Sequence, residues 1–296
     1  MVIFARLKII RMDTGRNIRI MGIVNLTDDS YYANSRCLDR NDKVMSISKA
    51  LARATRLVEE GATIIDLGAC STRPGAESIG AKMEWERLEG PLREIWLTLP
   101  QVKVSVDTWW SEVVERCCDM LSGLSCREDV RNRFIVNDIS AGEDDADMLP
   151  LVGREDLSYI AMHKKGNSKT MQSLCHYENV TLEVVEYFRE FSRKAEKFGI
   201  RNWILDPGFG FAKDIAQNYQ LLKESHIFKE EFPNQEILVG VSRKSMIYRL
   251  FNTTPEDSLA QTQVLHMKAL QNGADILRVH DVEEAARTVR LYSLLG

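Results

Sequence analysis

The sequence alternates eight times between a short apolar run, often β-branched, and a longer stretch with helical periodicity. The apolar runs predict strands over 18–25, 63–69, 103–108, 134–140, 157–163, 202–208, 236–242 and 275–281. Helices are predicted to follow them over 42–60, 84–97, 111–121, 146–151, 181–198, 215–224, 258–271 and 283–295. Eight successive βα units predict an α/β fold, a (β/α)8 TIM barrel that forms a single domain over residues 1–296.

Local signals support these boundaries, although one other fold has to be considered. Gly61, Gly199 and Gly273 stand just past three predicted helices, where a left-handed C-cap favours glycine. The polar segment 122–133 is interpreted as an insertion between the third helix and the fourth strand. A doubly wound open sheet could also hold eight strands, but the sequence lacks the G-x-G-x-x-G turn typical of its dinucleotide sites.

Charge and cysteine content argue against several classes of protein. The 39 Lys and Arg residues against 43 Asp and Glu give a formal net charge of −4, which argues against a nucleic-acid partner. No stretch of about 18 uninterrupted apolar residues predicts a membrane span, and we expect no signal peptide. None of the six cysteines forms a C-x-x-C pair, so we expect reduced thiols and a cytoplasmic protein without a membrane partner.

Polar residues stand at the carboxyl ends of the predicted strands, the face where barrels of this kind assemble their active sites. Asp107, Asn137 and Asp206 each interrupt an otherwise apolar strand, and a buried carboxylate without a partner is costly. Because a carboxylate can accept two parallel N–H bonds, these residues predict a site for a flat, nitrogen-rich ligand. The alternative is that they cap neighbouring helices or pair with Arg and Lys side chains across the rim.

Positive charge gathers at the ends of strands seven and eight. Four side chains are expected to lie side by side there: Arg243, Lys244, Arg278 and His280. Barrels frequently bind phosphate in this sector, and Ser245 begins a further helix whose N-terminal amides also favour anions. The four side chains therefore predict an oxyanion site, with a solvated basic rim as the alternative.

Metal ligands are sparse in the sequence. The histidines show no zinc-ligand spacing, so no structural zinc site is predicted. Asn25, at the end of the first strand, could place an oxygen on a hard cation such as Mg²⁺ that is held mainly by phosphate and water. The loops at 27–36 and 70–82 are the longest at this rim and are predicted to form a lid or a second-substrate loop.

Taken together, the motifs resemble those of the dihydropteroate synthase family. The matching segments are MGIVNLTDDS, DLGACSTRPGA, VSVDT, VNDIS, MHKKG, LDPGFGFAK, GVSRKSMI and RVHDV, in this order over residues 21–282. DPGFGFAK and SRKSM are the most specific of them. The resemblance implies a barrel transferase of folate biosynthesis that uses Mg²⁺, forms a homodimer and is a sulfonamide target. Such an enzyme joins 6-hydroxymethyl-7,8-dihydropterin pyrophosphate to p-aminobenzoate.

The resemblance also implies roles for the residues that match its motifs. The expected pterin-binding residues are Asp107, Asn137, Met162, Asp206, Gly240 and Lys244. The expected catalytic residues among them are Asp107, Asp206 and Lys244. The expected pyrophosphate-binding residues are Asn25, Thr72, Arg278 and His280, with Asn25 also at the metal. The expected p-aminobenzoate side comprises Thr72, Arg73, Pro74, Phe211, Lys213 and Ser245.

The sequence departs from the family pattern in three places. Asp28 and Tyr31 in the first rim loop stand where proline and phenylalanine are usual. Cys70 stands where Glu or another polar residue is more usual, and Lys164 and Lys165 replace an apolar or mixed pair. The pterin and pyrophosphate residues match closely, so these departures predict altered p-aminobenzoate affinity or altered sulfonamide sensitivity.

Two other functions remain open at this stage. A pterin-dependent methyltransferase of similar fold would use the pterin pocket without a pyrophosphate site, and Arg278, His280 and Lys244 argue against it. A non-catalytic or altered-specificity pterin-binding paralogue is suggested by the changes in the first rim loop. The sequence alone does not separate this paralogue from an active enzyme.

Overall fold

Parallel strands close into a barrel in the computed structural model, which describes residues 16–27, 37, 43–70, 79–166 and 170–295. The eight strands within these ranges are β1 (Arg19–Asn25), β2 (Ile64–Gly68), β3 (Lys103–Asp107), β4 (Phe134–Asp138), β5 (Ser158–Met162), β6 (Trp203–Asp206), β7 (Glu236–Val239) and β8 (Ile276–Val279). Each strand pairs in parallel with the next, and β8 pairs with β1 to complete the ring. The predicted (β/α)8 barrel is confirmed.

Helices connect the strands. In the described ranges they are α1 (Lys43–Glu59), α2 (Gly80–Thr98), α3 (Ser111–Leu124), α4 (Arg127–Arg133), α5 (Met148–Glu155), α6 (Val180–Phe198), α7 (Ile215–Lys223), α8 (His226–Glu231), α9 (Ser245–Tyr248), α10 (Leu259–Gln271) and α11 (Val282–Leu295). All eight helices predicted from periodicity are present. Across the part of the chain that can be described, none of the helices is long and apolar enough to cross a membrane.

Two of these helices, α4 and α8, are not predicted from the sequence because each carries too few apolar residues to show a helical repeat, whereas α9 begins at Ser245 as predicted. Helix α4 lies in the segment that was expected to be a polar insertion. Its last residue, Arg133, donates hydrogen bonds to the carbonyls of Trp96 at 3.1 Å and Leu99 at 3.2 Å, and its guanidinium lies 3.9 Å from the centre of the Trp96 ring. The segment is therefore tied to the end of α2.

Helix α6 shows how local sequence sets an element's ends. The side chain of Asn179 accepts the backbone N–H groups of Thr181 at 3.0 Å and Leu182 at 3.1 Å, which caps the first turn. The helix ends at Gly199, which adopts a left-handed φ of +73° as predicted. The capped ends place α6 directly before β6, which carries one of the predicted site residues.

The inside of the barrel is filled by apolar side chains. Because side chains alternate along a strand, every second residue points into the barrel. The interior cluster consists of Met21, Ile64, Ile135, Ile160, Ile204, Leu238 and Ile276. A second, larger cluster of buried side chains surrounds the barrel and includes residues of the strands and the helices.

The next inward positions, two residues further along each strand, carry most of the predicted site. They are occupied by Asp66, Asn137, Met162, Asp206, Gly240 and Arg278, Asp107 takes the corresponding place on β3, and the β1 position is the apolar Ile23. All of these side chains lie one step nearer the carboxyl ends of the strands than the apolar cluster. The apolar cluster therefore forms a floor, and the polar residues line the mouth above it.

The connection after β6 is held in a tight turn by Gly208. Its φ is +70°, and its N–H donates to Asp206 Oδ1 at 2.8 Å. A Cβ at this position would lie 1.9 Å from the carbonyl oxygen of His163. Only glycine meets both restrictions, so this part of the DPGFGFAK motif fixes the backbone directly beside Asp206.

We expect Gly208→Ala to destabilise the fold far more than Gly199→Ala. Both residues have a left-handed φ, which costs a non-glycine residue about 1–2 kcal/mol. A Cβ at Gly199 meets nothing within 4 Å, whereas at Gly208 it also meets the His163 carbonyl. Urea unfolding should show a loss of about 1 kcal/mol for Gly199→Ala and of at least about 3 kcal/mol for Gly208→Ala. Equal losses would contradict the steric argument.

Candidate active site

An arginine at the mouth of the barrel holds two carboxylates together. Arg278 Nε donates to Asp66 Oδ2 at 2.7 Å, and Arg278 Nη2 donates to Asp107 Oδ2 at 2.7 Å. Nη2 also lies 2.6 Å from Asp66 Oδ2. Burial opposes the charged form of Arg278, but the carboxylates of Asp66 and Asp107 raise its pKa above the usual value. The guanidinium therefore stays positively charged inside the mouth.

The second oxygen of Asp107 is an unsatisfied acceptor. Oδ1 is buried and has no hydrogen-bond partner among the described residues, whereas Oδ2 is bonded to Arg278. Burial raises the pKa of Asp107 to about 7, against the lowering effect of Arg278. A buried acceptor without a partner is costly, so this oxygen is suited to accept an N–H group from a ligand.

Asn137 and Met162 complete this side of the mouth. Asn137 is buried, and its Nδ2 lies 3.4 Å from each carboxylate oxygen of Asp66. Met162 is buried at the inward end of β5. An amide, a carboxylate and an apolar wall together suit a flat ligand with a polar edge.

Asp206 and Lys244 bring opposite charges to the other side of the mouth. Burial raises the pKa of Asp206 and lowers that of Lys244 to about 8, and each charge moderates the shift of the other. Lys244 Nζ donates to the carbonyl of Phe209 and lies 5.0 Å from the centre of the Phe211 ring. The connection after β6 therefore holds the Lys244 ammonium group in place.

Lys213, which the family resemblance places on the p-aminobenzoate side, is buried. Its Nζ donates to the carbonyls of Gly208 at 2.9 Å and Phe211 at 3.1 Å, and lies 2.9 Å from His163 Nδ1. Burial lowers the pKa of His163 well below its usual value, so its neutral ring can accept the third N–H bond. Lys213 thus ties the connection after β6 to the end of β5.

Arg243 does not contribute a cation to the mouth. The residue is buried, with Nε and Nη2 donating to the two oxygens of Asp281 at 2.7 and 2.9 Å. Its Nη1 donates to two backbone carbonyls, at 2.6 and 2.7 Å, in the segment before α10. This bidentate ion pair closes the connection after β7 onto the start of α11.

His280 is a neutral hydrogen-bonding group, because burial lowers its pKa to about 3. Ser242 Oγ accepts the His280 backbone N–H at 3.2 Å and lies 3.1 Å from Nδ1, to which its hydroxyl can donate. This arrangement favours the tautomer with the proton on Nε2. Arg53 donates to the His280 carbonyl at 2.9 Å. The prediction of four cations at this rim therefore holds only for Lys244 and Arg278.

The remaining predicted site residues lie at element ends or outside the described part of the chain. Asn25 ends β1, and its Oδ1 and the Asp107 side chain flank the open space above Gly68, at 3.7 and 3.8 Å from a Cβ built there. Ser245 begins α9 and is half-buried. The residues outside the described ranges are Asp28, Tyr31, Thr72, Arg73 and Pro74.

The departures from the family pattern that can be described have local partners. Lys164 is buried and forms an ion pair with Asp144. Lys165 forms an ion pair with Glu183 at 2.9 Å. Burial raises the pKa of the Cys70 thiol to about 11, so this side chain is an unreactive neutral group at neutral pH. These substitutions are accommodated by their own surroundings and do not add an unpaired charge to the mouth.

A (β/α)8 barrel whose mouth combines buried carboxylates, an amide and two cations belongs to the class of barrel enzymes that bind a nitrogen-rich ligand beside an anion. Comparison with known proteins defines the class further. Residues 21–280 match the model of the family described as pterin binding enzyme.

Individual relatives point to one branch of that class. The chain is 36% identical to dihydropteroate synthase from Escherichia coli K12 over 278 residues, which cover 92% of this chain and 89% of that protein. It is 34% identical to the Synechocystis dihydropteroate synthase over 287 residues, 96% of this chain and 92% of that protein. The chain therefore belongs to the dihydropteroate synthase family of pterin-binding enzymes.

Solved structures of dihydropteroate synthases are similar to this chain over nearly its whole length. The Yersinia pestis dihydropteroate synthase in complex with a sulfonamide drug superposes with a TM-score of 0.81 at 29% identity, covering 94% of both chains. The Xanthomonas albilineans dihydropteroate synthase with 4-aminobenzoic acid superposes with a TM-score of 0.80 at 31% identity, covering 96% of this chain and 94% of that one.

We expect pterin binding at this mouth to be strongest between about pH 7 and about pH 8. Below this range Asp107 takes up a proton and accepts N–H bonds less well, and above it Lys244 loses its positive charge. Titration calorimetry with a pterin from about pH 5 to about pH 10 should therefore give a bell-shaped affinity profile.

Two variants test the origin of the acidic limb of this profile. Asp107→Asn should abolish the limb, whereas Glu84→Gln should keep it, moved to slightly lower pH because Glu84 and Asp107 interact electrostatically. Glu84 is a matched control because burial raises its pKa to about 7 as well. An acidic limb that persists in Asp107→Asn would show that another group controls binding.

Proposed function

We propose that the protein is a dihydropteroate synthase, which joins 6-hydroxymethyl-7,8-dihydropterin pyrophosphate to p-aminobenzoate and releases 7,8-dihydropteroate and pyrophosphate. The observation that carries the proposal is the mouth itself, where the buried acceptors of Asp107 and Asp206 lie with the charged Arg278. The 36% identity to the Escherichia coli enzyme over 92% of the chain supports the same conclusion.

The pterin ring is proposed to bind across the floor of the mouth. Asp107 and Asp206 accept N–H groups of the ring edge, and Asn137 adds an amide. Met162 forms an apolar wall, and Lys244 approaches the ring from the connection after β7. A Cβ at Gly240 would make an ordinary van der Waals contact with Arg278 Cβ at 3.8 Å, and a larger side chain there would occupy space beside Arg278.

The pyrophosphate is proposed to lie at the ends of β1 and β8. Arg278 contributes positive charge there, and neutral His280 contributes an N–H donor through Nε2. Asn25 and Thr72 complete the proposed set. A mixture of one cation and neutral donors still favours a polyanionic leaving group in a buried site.

The second substrate is proposed to enter over the connection after β6. Phe211 and Ser245 form the described part of that side, and Phe211 lies beside the Lys244 ammonium group, 5.0 Å away. The rest of the proposed set comprises Thr72, Arg73 and Pro74. The similar Xanthomonas albilineans structure contains 4-aminobenzoic acid, which supports this choice of substrate.

The proposed reaction exchanges a C–O bond for a C–N bond. The bond between the pterin methylene carbon and the pyrophosphate oxygen breaks, and its electron pair leaves with the pyrophosphate. Arg278 and His280 stabilise the charge that develops on this leaving group. The ring delocalises the cationic carbon, which Asp107 and Asp206 favour electrostatically. The arylamine then forms the C–N bond and releases one proton, so no strong general base is needed.

Mg²⁺ is the proposed cofactor. Within the described ranges, no group of three or more His, Cys, Asp or Glu side chains could hold a metal by itself. Asn25 offers one amide oxygen at the end of β1, and a single protein ligand suits Mg²⁺, which retains several waters and binds substrate phosphates. When bound, the ion would neutralise part of the pyrophosphate charge.

We also propose that residues 1–296 form one domain, which acts as a homodimer in the cytoplasm. Large apolar side chains are more than half exposed on the last two helices: Val264 on α10, and Leu291 and Leu294 on α11. Such a surface is suited to association with a second copy. Cys117, Cys118, Cys126 and Cys175 are thiols, which fits a reducing compartment.

A binding measurement followed by a product assay tests the function. We expect calorimetry to detect binding of the pterin pyrophosphate. We expect the assay with p-aminobenzoate and Mg²⁺ to yield one dihydropteroate and one pyrophosphate per amine consumed. Binding without product would indicate the non-catalytic paralogue, and methyl transfer with a corrinoid partner would indicate the methyltransferase. Steady-state kinetics with p-aminobenzoate and with sulfonamide inhibitors test the effect of the departures from the family pattern. An ordinary affinity for both would contradict the prediction that p-aminobenzoate affinity or sulfonamide sensitivity is altered.

Replacing either of two buried aspartates by asparagine should affect a different property, pterin binding for Asp206 and stability for Asp138. Asp206→Asn should weaken pterin binding at least about tenfold with little change in stability. Asp138→Asn should instead lower the free energy of unfolding by about 2 kcal/mol, because Asp138 accepts bonds from Ser140, Gly142 and Tyr159 at 2.7–2.8 Å. Calorimetry and urea unfolding of both variants separate the effects. Unchanged pterin binding in Asp206→Asn would refute its proposed role.

A further inference from the structure

Asp66 contacts one residue from each half of the proposed site. It lies on β2 and is fully buried. Its carboxylate accepts from Arg278 Nε at 2.7 Å and lies 3.4 Å from Asn137 Nδ2 through both oxygens. Asn137 belongs to the proposed pterin set and Arg278 to the proposed pyrophosphate set, so Asp66 connects them from outside both sets, in addition to the direct bond between Asp107 and Arg278.

The contact with Arg278 fixes the plane of the guanidinium. A guanidinium has five N–H donors in one rigid plane. Asp66 occupies Nε and shares Nη2 with Asp107. Among the residues that the structure describes, Nη1 donates no hydrogen bond. The two carboxylates therefore hold the Nε and Nη2 side of the group, which leaves the Nη1 donors for an anion.

The contact with Asn137 fixes the orientation of its amide. Nδ2 faces the Asp66 carboxylate, and a turned amide would instead place its oxygen against that carboxylate. Two acceptors at that distance repel each other, so the turned orientation is excluded. The Asn137 Oδ1 atom is therefore held on the side away from Asp66, and a ligand meets an acceptor there.

We propose that Asp66 is a positioning residue that sets the hydrogen-bond pattern of the site. Through Asn137 it presents an acceptor to the N–H edge of a pterin, and through Arg278 it presents donors to a diphosphate. In this proposal Asp66 itself contacts neither the pterin nor the diphosphate. The inference rests on the proposed function, because it names the residue that aligns the two halves of that site.

The sign of one measurement separates positioning from simple charge. Removing a negative charge beside Arg278 would, by electrostatics alone, strengthen the binding of an anion. Loss of positioning would weaken it. We expect Asp66→Asn to weaken the binding of inorganic pyrophosphate and of a pterin about tenfold each, measured separately by calorimetry. The KM for p-aminobenzoate should stay unchanged. Unchanged or tighter pyrophosphate binding would overturn the inference.

Two further variants guard against a general loss of fold. Asp129→Asn removes another arginine-paired carboxylate, on α4, and should alter neither affinity. The exchanged pair Asp66→Asn with Asn137→Asp keeps one amide, one carboxylate and the net charge. We expect this pair to unfold like the wild type and still bind pyrophosphate weakly, because the Nε side of Arg278 no longer faces a carboxylate on β2. Wild-type pyrophosphate affinity in the exchanged pair would overturn the inference.

The outcomes are distinguishable from those that concern the function itself. A wild type that binds pyrophosphate and pterin but forms no dihydropteroate would overturn the proposed function and leave the calorimetric test of Asp66 intact. A wild type that binds neither ligand would overturn both. Normal turnover together with wild-type affinities in Asp66→Asn would overturn only the role of Asp66.

Discussion

Buried charge above an apolar floor is the constraint on which the rest of the structure depends. Asp66, Asp107 and Asp206 lie where water cannot fully solvate them, and a lone carboxylate in such a place is costly. Arg278 offsets the first two, and Lys244 moderates the third. The charges are thus arranged before any ligand arrives, which is the preorganisation that electrostatic catalysis requires.

Rigid connections keep these charges in position. Gly208 permits the tight turn beside Asp206, and Lys213 ties that turn to His163 at the end of β5. Arg243 closes the next connection onto Asp281. Each of these residues belongs to a specific family motif, and each has a backbone or ion-pair contact that fixes a connection of the barrel. Some residues of these motifs therefore serve to fix the backbone around the site.

The barrel and most of its mouth follow from the sequence because they depend on local periodicity. Alternation along a strand places Asn137 and Asp206 on the same side as the apolar floor. Asp66 gives the same signal, a carboxylate within the apolar run TIIDLGA, and could have been found in that way. The neutral charge and the tautomer of His280 could not be found from the sequence. They depend on Ser242 and Arg53, which only the folded chain brings beside His280. Helix α4 is not predicted because Val130 is its single apolar residue, so the segment shows no apolar repeat.

The lysine pair after β5 has a consequence for how this chain can change over generations. Lys164 and Lys165 each rely on a distant acidic partner, Asp144 and Glu183. Replacing Lys164 alone would leave Asp144 without its cation, and replacing Asp144 alone would leave a buried ammonium group unpaired. The two losses differ in cost, because Asp144 is 40% exposed and can be solvated, whereas Lys164 is only 7% exposed. A lineage that loses this ion pair is therefore expected to replace Lys164 before Asp144.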